Sequence, residues 1–352
     1  MNTYRILDGG YANISVYNYG QNYGQFSRMA RDMMYHPVLS DEVWQDRSVR
    51  RENREIIDAY VQEYVETVEC DELVERGQSL GVPVIPVLTV DGFVNHPHAA
   101  ARGYRGYFIE MDYPVIGPHR VLGLPVRLGA TPWEPRRLAP LLGQHTKGVI
   151  RELEEIPPRH LASVVSQKTS GDGGETSTIQ PVDGIRIADL TRVVAGPVAT
   201  RCLSMFCAQN IKIEEAVADQ ARDLHKLNWC KLSCIIDARK PGGKELIHQL
   251  VGVSVVVVEN IKPGVMGNSG LLPDYLAYGQ QVMGFTGLTH LWGHPESSLD
   301  LRIKMPYPDF VAGAFTALVI LAALAWRDRT GEGQYMEIAQ IEGTAHLLGV
   351  AY

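Results

Sequence analysis

Asp309 has the surroundings that most clearly favour chemistry in this 352-residue chain. It follows Met305-Pro306-Tyr307-Pro308 and precedes an uncharged run rich in Ala, Leu and Val, residues 310–326. Pro308 interrupts any preceding helix, so the run predicts a helix with Asp309 at its N-cap or in its first turn. Free backbone N–H groups and the helix dipole stabilise negative charge there. The pattern predicts either a simple helix cap or an ionised, partly desolvated carboxylate that could act as a nucleophile.

Short β-branched runs alternate with helical patterns after residue 184, as in a parallel sheet buried between helices. Strands are predicted at residues 185–190, 211–214, 233–237 and 255–259, and helices at residues 197–206 and 243–251. This alternation predicts an α/β fold with a Rossmann-like, mostly parallel sheet flanked by helices.

Ligands bind such sheets beyond the carboxyl ends of the strands. Two turns that contain Gly, Pro and a cation fall at these ends, residues 191–197 with Arg192 and residues 260–264 with Lys262. The same turns are equally compatible with ordinary connections between a strand and a helix.

The first 156 residues have a different pattern, which predicts a smaller α/β region. Residues 41–69 and 71–81 have a helical rhythm, whereas residues 82–87 are extended and contain two prolines that favour a sheet edge or a loop. The Gly/Ser/Thr/Asp-rich residues 157–183 lack apolar periodicity and predict a flexible linker. The predicted organisation is residues 1–156, a linker at 157–183, and residues 184–352.

Charge and hydropathy argue against nucleic-acid-binding and membrane proteins. The formal net charge is −7 and the pI about 5.9, which argues against binding to a nucleic-acid backbone. A basic cluster interleaved with acidic residues predicts a solvated helix face: Arg47, Arg50, Arg51 and Arg54. The N-terminus lacks a signal-peptide pattern, which favours the cytoplasm. Residues 310–326 are short for a membrane span and favour a buried core helix, so no membrane association is expected.

The five cysteines contain no CxxC pair and predict reduced, mostly packed thiols. They are Cys70, Cys202, Cys207, Cys230 and Cys234. His96 and His98 lie close together, but no third ligand stands at a recognisable spacing. No metal is therefore expected.

Taken in order, several segments resemble the family III CoA-transferases, the group related to formyl-CoA transferase and carnitine CoA-transferase. In the C-terminal half the similar segments are residues 184–197, 211–214, 258–265, 308–313 and 329–334. Residues 1–156 resemble the C-terminal half of the family, through residues 81–87, 97–103 and 139–146. The two halves therefore stand in reverse order, as in a fragment across the junction of a tandem fusion or in a circular permutant.

The chain departs from the family pattern at two places. Residues 270–273 run directly into residues 274–279, where family members usually have an extra strand and loop. Three residues also differ from formyl-CoA transferase at presumed CoA contacts, where it has Gln, Arg and Arg: Val194, Glu215 and Asn268. Phosphate contacts would weaken or shift to the remaining cations, Arg192, Arg239 and Lys262.

The resemblance implies transfer of coenzyme A from an acyl-CoA thioester to a small carboxylic acid, through an aspartyl intermediate on Asp309. CoA would lie along the carboxyl edge of the sheet. The family positions imply CoA contacts at Arg192, Val193, Ala195, Ile236, Arg239, Asn260, Ile261 and Lys262. Family members form interlocked dimers, so a homodimer is expected.

Three alternatives stay open at this point. α-Methylacyl-CoA racemases share the Asp-containing segment but need an upstream His, near the position of Tyr278 here. A CoA-dependent lyase would need a base that cannot be recognised in this stretch. A non-catalytic fragment or pseudo-domain is favoured by the reversed halves and the missing segment.

Overall fold

A computed structural model of the chain describes residues 2–15, 23–101, 108–113, 116–133, 140–142, 144–155, 181–214, 227–260, 277–294, 296–299 and 305–351. These residues form an α/β structure, as predicted. Most of the predicted linker, together with Ile261, Lys262 and residues 270–276, lies outside the described residues. The predicted division at residues 157–183 therefore stays a prediction.

A small antiparallel sheet organises the N-terminal region. Its strands are β1 (Asn2–Arg5), β2 (Tyr11–Ile14) and β3 (Val84–Pro86), in the order β1-β2-β3. β3 is an edge strand, which confirms the sheet edge predicted within residues 82–87. An edge strand tolerates the missing N–H of Pro86.

Helices cover one side of this sheet and bury their apolar faces against it. They are α1 (Tyr23–Ser27), which continues into a π-helical segment Arg28–Met33, a 3₁₀ turn Glu42–Gln45, α2 (Arg47–Glu52), α3 (Arg54–Val65) and α4 (Cys70–Ser79). Phe26, Met29 and Leu73 are fully buried in their core. The helical rhythm predicted for residues 41–69 and 71–81 is confirmed.

The predicted solvated face is wrong at Arg50, which is only 2% exposed. Its guanidinium donates to the backbone oxygens of Trp44 and Gln45 and lies 5.5 Å from the centre of the Phe26 ring. Carbonyl groups and an aromatic face thus replace water around the charge. The other three arginines of the cluster are exposed, as predicted: Arg47, Arg51 and Arg54.

The remaining N-terminal elements are α5 (Val90–Val94), α6 (Pro97–Ala101), β4 (Phe108–Tyr113), β5 (Gly117–Leu122), β6 (Arg127–Leu128) and α7 (Thr146–Glu155). The rings of His96 and His98 contact the ring of Phe285 at 4.8 and 5.8 Å between centres. Within the described ranges, no group of three or more His, Cys, Asp or Glu side chains could hold a metal ion.

A four-stranded parallel sheet carries the C-terminal half. Its elements are β7 (Arg186–Asp189), α8 (Ala195–Met205), β8 (Gln209–Glu214), β9 (Leu232–Ile235), α9 (Pro241–Gly252) and β10 (Val256–Val258). The order is β10-β7-β8-β9, with every pair parallel. This confirms the predicted parallel sheet, with boundaries shifted by a few residues.

The strand order creates a switch point between β7 and β10. From β7 the chain moves outward through β8 to β9, and it then returns to place β10 on the other side of β7. Such a reversal opens a crevice at the carboxyl ends of the two central strands, which is where sheets of this kind bind ligands. The turns that contain Arg192 and Asn260 both lie at this crevice.

The C-terminal elements are α10 (Gly279–Phe285), α11 (Leu288–Leu291), α12 (Tyr307–Thr330), β11 (Met336–Glu337) and α13 (Gln340–Leu348). α12 ends at Gly331, whose φ of 79° and N–H bond to the Arg327 oxygen stop the helix. By length and composition, α12 is the one described helix that could span a membrane. It buries Ala312, Ala317 and Ile320, whereas Leu318 is 61% exposed, so only one face is a core face.

The two halves contact each other directly. Gln281 on α10 donates its side-chain amide to the backbone oxygens of Asn13 (3.2 Å) and Pro83 (2.7 Å). β6 pairs with β11, and the Thr131 hydroxyl donates to the side-chain oxygen of Gln334 at 3.0 Å. The reversed order of the halves is therefore compatible with one folded body.

All five cysteines are free thiols, as predicted. Three of them are partly buried: Cys70, Cys202 and Cys234. Burial raises the pKa of the Cys70 thiol to about 12. The expectation of mostly packed thiols is wrong for Cys207 and Cys230, which are exposed.

Candidate active site

Asp309 is the third residue of α12, which confirms its predicted place in the first turn. Its backbone N–H donates to the Pro306 oxygen at 3.1 Å, and the residue is only 7% exposed. Pro308 fits this turn because the first N–H groups of a helix have no partner within the helix. The carboxylate is thus fixed at the start of a long, rigid helix.

The backbone of Gly279, the first residue of α10, closes one side of this carboxylate. A Cβ on Gly279 would lie 2.8 Å from Asp309 Cγ and within 2.9 Å of both carboxylate oxygens. Any side chain at position 279 would displace the carboxylate. Sequence analysis missed this contact between Gly279 and Asp309, because the sequence around Gly279 does not indicate it.

Gln340 is the second residue at the site that sequence analysis missed. Its Nε2 atom donates to Asp309 Oδ1 at 2.8 Å. Gln340 is the first residue of α13, thirty-one positions from Asp309, and only the packing of α13 against α12 brings the two side chains together. Gln340 stands outside every motif noted in the sequence.

Burial raises the pKa of Asp309 to about 6, and the hydrogen bond from Gln340 opposes that rise. The sequence suggested that the helix N-terminus would keep the carboxylate ionised. Burial instead outweighs the favourable contacts, although a group with this pKa remains mostly ionised at pH 7. The carboxylate is therefore both charged and weakly solvated at neutral pH, as a nucleophile requires.

The turn after β7 is held by the side chain of Asn260. Asn260 Oδ1 accepts from the Arg192 N–H at 2.7 Å, and its Nδ2 donates to the Arg192 oxygen at 2.8 Å. The next residue, Val193, has φ of 63°, which is a strained conformation for a β-branched side chain. A Cβ on Gly196 would lie 2.5 Å from Thr191 Cβ and 3.0 Å from Asn260 Cγ. The turn is therefore a fixed structure across the switch point.

The helix that follows this turn packs against the helix that carries Asp309. Ala195 begins α8, and Val198 Cγ1 lies 2.6 Å from where a Cβ on Gly313 would stand. Gly313 is four residues after Asp309 and so lies on the same face of α12. The position of the turn is thereby coupled to the position of the carboxylate.

The structure brings together only some of the predicted CoA contacts. Arg192, Val193, Ala195 and Asn260 meet at the switch point between β7 and β10. Ile236 and Arg239 lie at the same edge but beyond β9, the outermost strand. The exposed Arg239 guanidinium contacts the Asp237 carboxylate at 2.9 and 3.2 Å. Ile261 and Lys262 lie outside the described residues.

A buried cluster of charged residues also holds the turn after β7 in place. Asp189, at the end of β7, is fully buried and accepts from the backbone N–H of Thr191 and from the hydroxyl groups of Thr191 and Thr200. Lys231 Nζ lies 3.1 Å and Lys212 Nζ 3.5 Å from its carboxylate oxygens. Burial opposes ionisation of Asp189, but the lysines and threonines outweigh it and lower its pKa. Sequence analysis missed this cluster, because Asp189, Lys212 and Lys231 are about twenty positions apart and meet only in the folded sheet.

The protein-family model described as CoA-transferase family III matches residues 1–146, 182–277 and 267–352. The chain is 28% identical over 329 residues to the probable CoA-transferase Rv1866 of Mycobacterium tuberculosis, covering 80% of this chain and 39% of that protein. It is 30% identical over 219 residues to the alpha subunit of a succinyl-CoA–L-malate CoA-transferase of Chloroflexus aurantiacus, covering 51% of this chain and 50% of that protein.

A similar solved structure is a CAIB/BAIF family protein from Brucella suis. It is 26% identical, with a TM-score of 0.45, and the match covers 48% of this chain and 55% of that one. The chain thus spans about half the length, or less, of the curated relatives described above. Because the family model matches most of its residues, the chain belongs to CoA-transferase family III.

Proposed function

We propose that this chain transfers coenzyme A from an acyl-CoA thioester to a small carboxylic acid through an aspartyl intermediate on Asp309. One observation supports this above the others: a carboxylate that is 7% exposed, with its pKa raised to about 6, begins the helix that packs through Gly313 against the helix after the switch-point turn. A charged group held in this way is suited to attack a carbonyl carbon.

The first half of the reaction follows from the chemistry of a carboxylate and a thioester. One Asp309 oxygen attacks the acyl carbonyl carbon, and the C–S bond breaks to give an acyl-aspartyl anhydride and the CoA thiolate. The thiolate then attacks the aspartyl carbonyl carbon, which releases the donor acid and leaves CoA joined to Asp309 as a thioester. Burial of the site limits access of water that would hydrolyse the anhydride.

The second half repeats these steps in reverse with the acceptor. The acceptor carboxylate attacks the aspartyl thioester, and a new anhydride forms as the CoA thiolate leaves. The thiolate then attacks the new acyl carbonyl carbon and regenerates the Asp309 carboxylate. A thioester is present at the start and at the end, so no other source of energy is needed.

The turn at the switch point is suited to hold CoA. Its backbone is fixed by Asn260, and the exposed side chain of Arg192 places a cation at the carboxyl edge of the sheet. Arg239, whose guanidinium contacts Asp237 here, is a second exposed cation beyond β9 and would have to exchange this contact for a phosphate. These cations fit the phosphate groups of CoA, while half-buried Ile236 fits an apolar contact with adenine.

We also propose that the chain comes from a tandem arrangement of two transferase units. One alignment with the probable CoA-transferase Rv1866 covers 80% of the chain, and residues 184–352 alone are about half of it. That alignment must therefore include both halves in the order found here. Expression of the chain with further flanking sequence, compared with the chain alone, would test whether activity needs the complete tandem.

We propose a cytoplasmic homodimer as the working form. Size-exclusion chromatography with light scattering would test the dimer, and a monomeric mass would contradict it. Fractionation of cells would test the location, with recovery in the membrane fraction as the contradicting result, since α12 is apolar enough to span a membrane by length and composition.

The transfer itself is tested by incubating the purified chain with succinyl-CoA and one acceptor acid at a time. The acceptors are L-malate, glutarate and oxalate. Chromatography would detect a new acyl-CoA. The Asp309→Asn variant should lose transfer yet bind CoA in calorimetry, whereas Asp328→Asn, at the exposed end of the same helix, should retain both. CoA binding without transfer would favour a non-catalytic domain, and exchange of an α-proton without transfer would favour a racemase.

A further inference from the structure

We propose that Gln340 is a further catalytic residue, whose side-chain amide stabilises the oxyanion formed on the aspartyl carbonyl of Asp309. This inference rests on the proposed function, in which Asp309 carries the acyl group and then CoA. It assigns a role to a residue that lies outside all the motifs identified in the sequence.

The geometry places the amide on a reacting atom. Gln340 Nε2 lies 2.8 Å from Asp309 Oδ1, within the range of a well-formed N–H···O bond. The contact lies between the buried faces of two helices, because Asp309 on α12 is 7% exposed and Glu342, Thr344 and Ala345 of α13 are all buried. The donor is thus part of a packed helix.

The helix start that carries Gln340 is itself fixed. The Thr344 hydroxyl donates to the Gln340 backbone oxygen at 2.7 Å. One position before Thr344, a Cβ on Gly343 would lie 3.6 Å from Phe315 Cδ2 on α12, so the two helices pack closely there. A donor held in this way needs little reorganisation when charge develops on its partner.

The contact also distinguishes the two oxygens of Asp309. Oδ1 is engaged by Gln340, so Oδ2 is the oxygen assigned to attack the thioester. Oδ1 then becomes the carbonyl oxygen of the anhydride and of the aspartyl-CoA thioester. In both intermediates the Gln340 amide remains next to it.

Negative charge develops on Oδ1 in two of the four bond-forming steps. These are the attack of the CoA thiolate on the first anhydride and the attack of the acceptor carboxylate on the aspartyl thioester. In each, a tetrahedral centre forms at Cγ of Asp309. It collapses as the donor carboxylate departs in the first of these steps and as the CoA thiolate departs in the second. In the other two steps the tetrahedral centre is on the acyl carbon, which Gln340 does not contact in this geometry.

A neutral amide suits Asp309 both as a nucleophile in the resting state and as the carbonyl that takes up negative charge during the reaction. A cation at the same place would bind the resting carboxylate more strongly and reduce its nucleophilicity. The amide donates one hydrogen bond without neutralising the charge. It stabilises an alkoxide-like oxygen more than a delocalised carboxylate, which is the difference that accelerates a step.

The experiment compares the wild-type chain with Gln340→Ala, and with Gln209→Ala as a control. Gln209 bonds to Arg186 at an exposed site on β8, so its loss removes a similar amide away from Asp309. Each protein is mixed with succinyl-CoA alone and quenched in acid. Intact-protein mass spectrometry then follows the appearance of CoA bound covalently to Asp309.

We expect the aspartyl-CoA adduct to form about 10²–10³-fold more slowly in Gln340→Ala, the loss typical of one oxyanion donor. The anhydride should still form, so protein carrying a succinyl group should appear in the same mass spectra at a rate close to that of the wild type. Affinity for CoA should stay nearly unchanged. Gln209→Ala should match the wild type in all three measurements.

A Gln340→Glu variant separates catalysis from a structural role. The introduced carboxyl group can donate to Asp309 only when it is protonated, and two neighbouring carboxylates repel each other. Adduct formation should therefore fall as pH rises in this variant, whereas in the wild type it should increase through pH 6, where Asp309 ionises. If adduct formation in Gln340→Glu had the same pH dependence as in the wild type, the inference would be wrong. This test holds even if Gln340→Ala fails to fold, because Glu has nearly the same shape as Gln.

The outcomes separate this inference from the proposed function. If neither the wild-type chain nor the chain expressed with flanking sequence forms an adduct with succinyl-CoA or acetyl-CoA, the aspartyl mechanism itself is wrong. If the wild type forms the adduct and Gln340→Ala forms it equally fast, only the role of Gln340 is wrong.

Discussion

The backbone oxygen of Ala195 lies 2.8 Å from the point where a Cβ on Gly313 would stand. Ala195 begins the helix after the switch-point turn, and Gly313 lies one helical turn beyond Asp309. The absence of a side chain on Gly313 therefore lets the two helices approach until backbone meets backbone. This contact therefore links the turn assigned to CoA to the helix that carries the carboxylate assigned to catalysis.

Replacing Gly313 with Ala should separate these two helices. The new methyl group would overlap Ala195 and Val198 Cγ1, and overpacking of this kind costs about 1–3 kcal/mol of unfolding free energy. Because Asp309 moves with α12, the rate of transfer should fall by more than the affinity for CoA. Urea unfolding and steady-state kinetics on the same preparation measure the two effects.

Gly252→Ala is the matched control, since a Cβ there meets nothing within 4 Å and the residue also lies in a helix. It should leave stability and transfer nearly unchanged. An equally mild effect of Gly313→Ala would mean that the helices can move apart without consequence for the site.

The raised pKa of Asp309 predicts a pH-dependent stability. The folded chain holds this proton more tightly than the unfolded chain, because the pKa rises from 3.8 to about 6 on folding. The contribution of Asp309 to stability is therefore greatest below pH 4 and declines as pH increases to about 6. Above that pH the ionised group costs about 2–3 kcal/mol relative to the neutral one.

Asp309→Asn removes this titration and should be more stable than the wild type at pH 7. The difference in unfolding free energy between the two proteins should shrink as pH falls from 6 to 4. Urea unfolding at several pH values measures it. A difference that stayed constant over this range would show that the Asp309 carboxyl group is not the titrating group.

The sequence predicted those features of the fold that depend on local patterns. β-branched runs such as Val256-Val257-Val258 form the parallel sheet, and Pro308 with Asp309 marks the start of α12. Each of these signals is contained within a few neighbouring residues. Arg50 shows the limit, because its charged neighbours suggested solvent while Trp44 supplies a buried carbonyl partner.

The partners of Asp309 could not be predicted in the same way. Gly279 and Gln340 lie thirty positions before it and thirty-one after it, and both contacts depend on how three helices pack. Likewise, Asn260 was assigned to CoA from the family resemblance, but its side chain bonds to the Arg192 backbone. Side-chain pairs that form only in the folded chain leave no pattern in a single sequence.

Lys231→Met should strongly destabilise the chain. Lys231 has a side chain that is 1% exposed, and its Nζ atom contacts Asp189 at 3.1 Å and the Pro197 oxygen at 3.1 Å. Its removal leaves the buried Asp189 carboxylate with less compensation, which typically costs about 3–5 kcal/mol. A decrease in the urea midpoint measures the loss. Arg239→Met, which breaks an exposed pair with Asp237, should leave that midpoint nearly unchanged.

Asn260→Ala should weaken CoA binding without removing any direct contact that this structure assigns to Asp309. The variant loses two hydrogen bonds to the Arg192 backbone, worth about 0.5–1.5 kcal/mol each. Without them the strained conformation of Val193, with φ of 63°, is no longer held, and the turn should populate other conformations. Calorimetry should show a CoA Kd about 5- to 100-fold higher.

A matched control for this prediction is Asn95→Ala, which also loses side-chain bonds, to Asp91, but at a helix end in the N-terminal half. It should bind CoA as the wild type does. Should Asn260→Ala keep full affinity, the turn after β7 would not be the CoA-binding element, and the assignment of Arg192, Val193 and Ala195 would fail with it. A weakened affinity together with an unchanged pH profile of transfer would show instead that Asn260 acts on binding through the turn and leaves the chemistry at Asp309 intact.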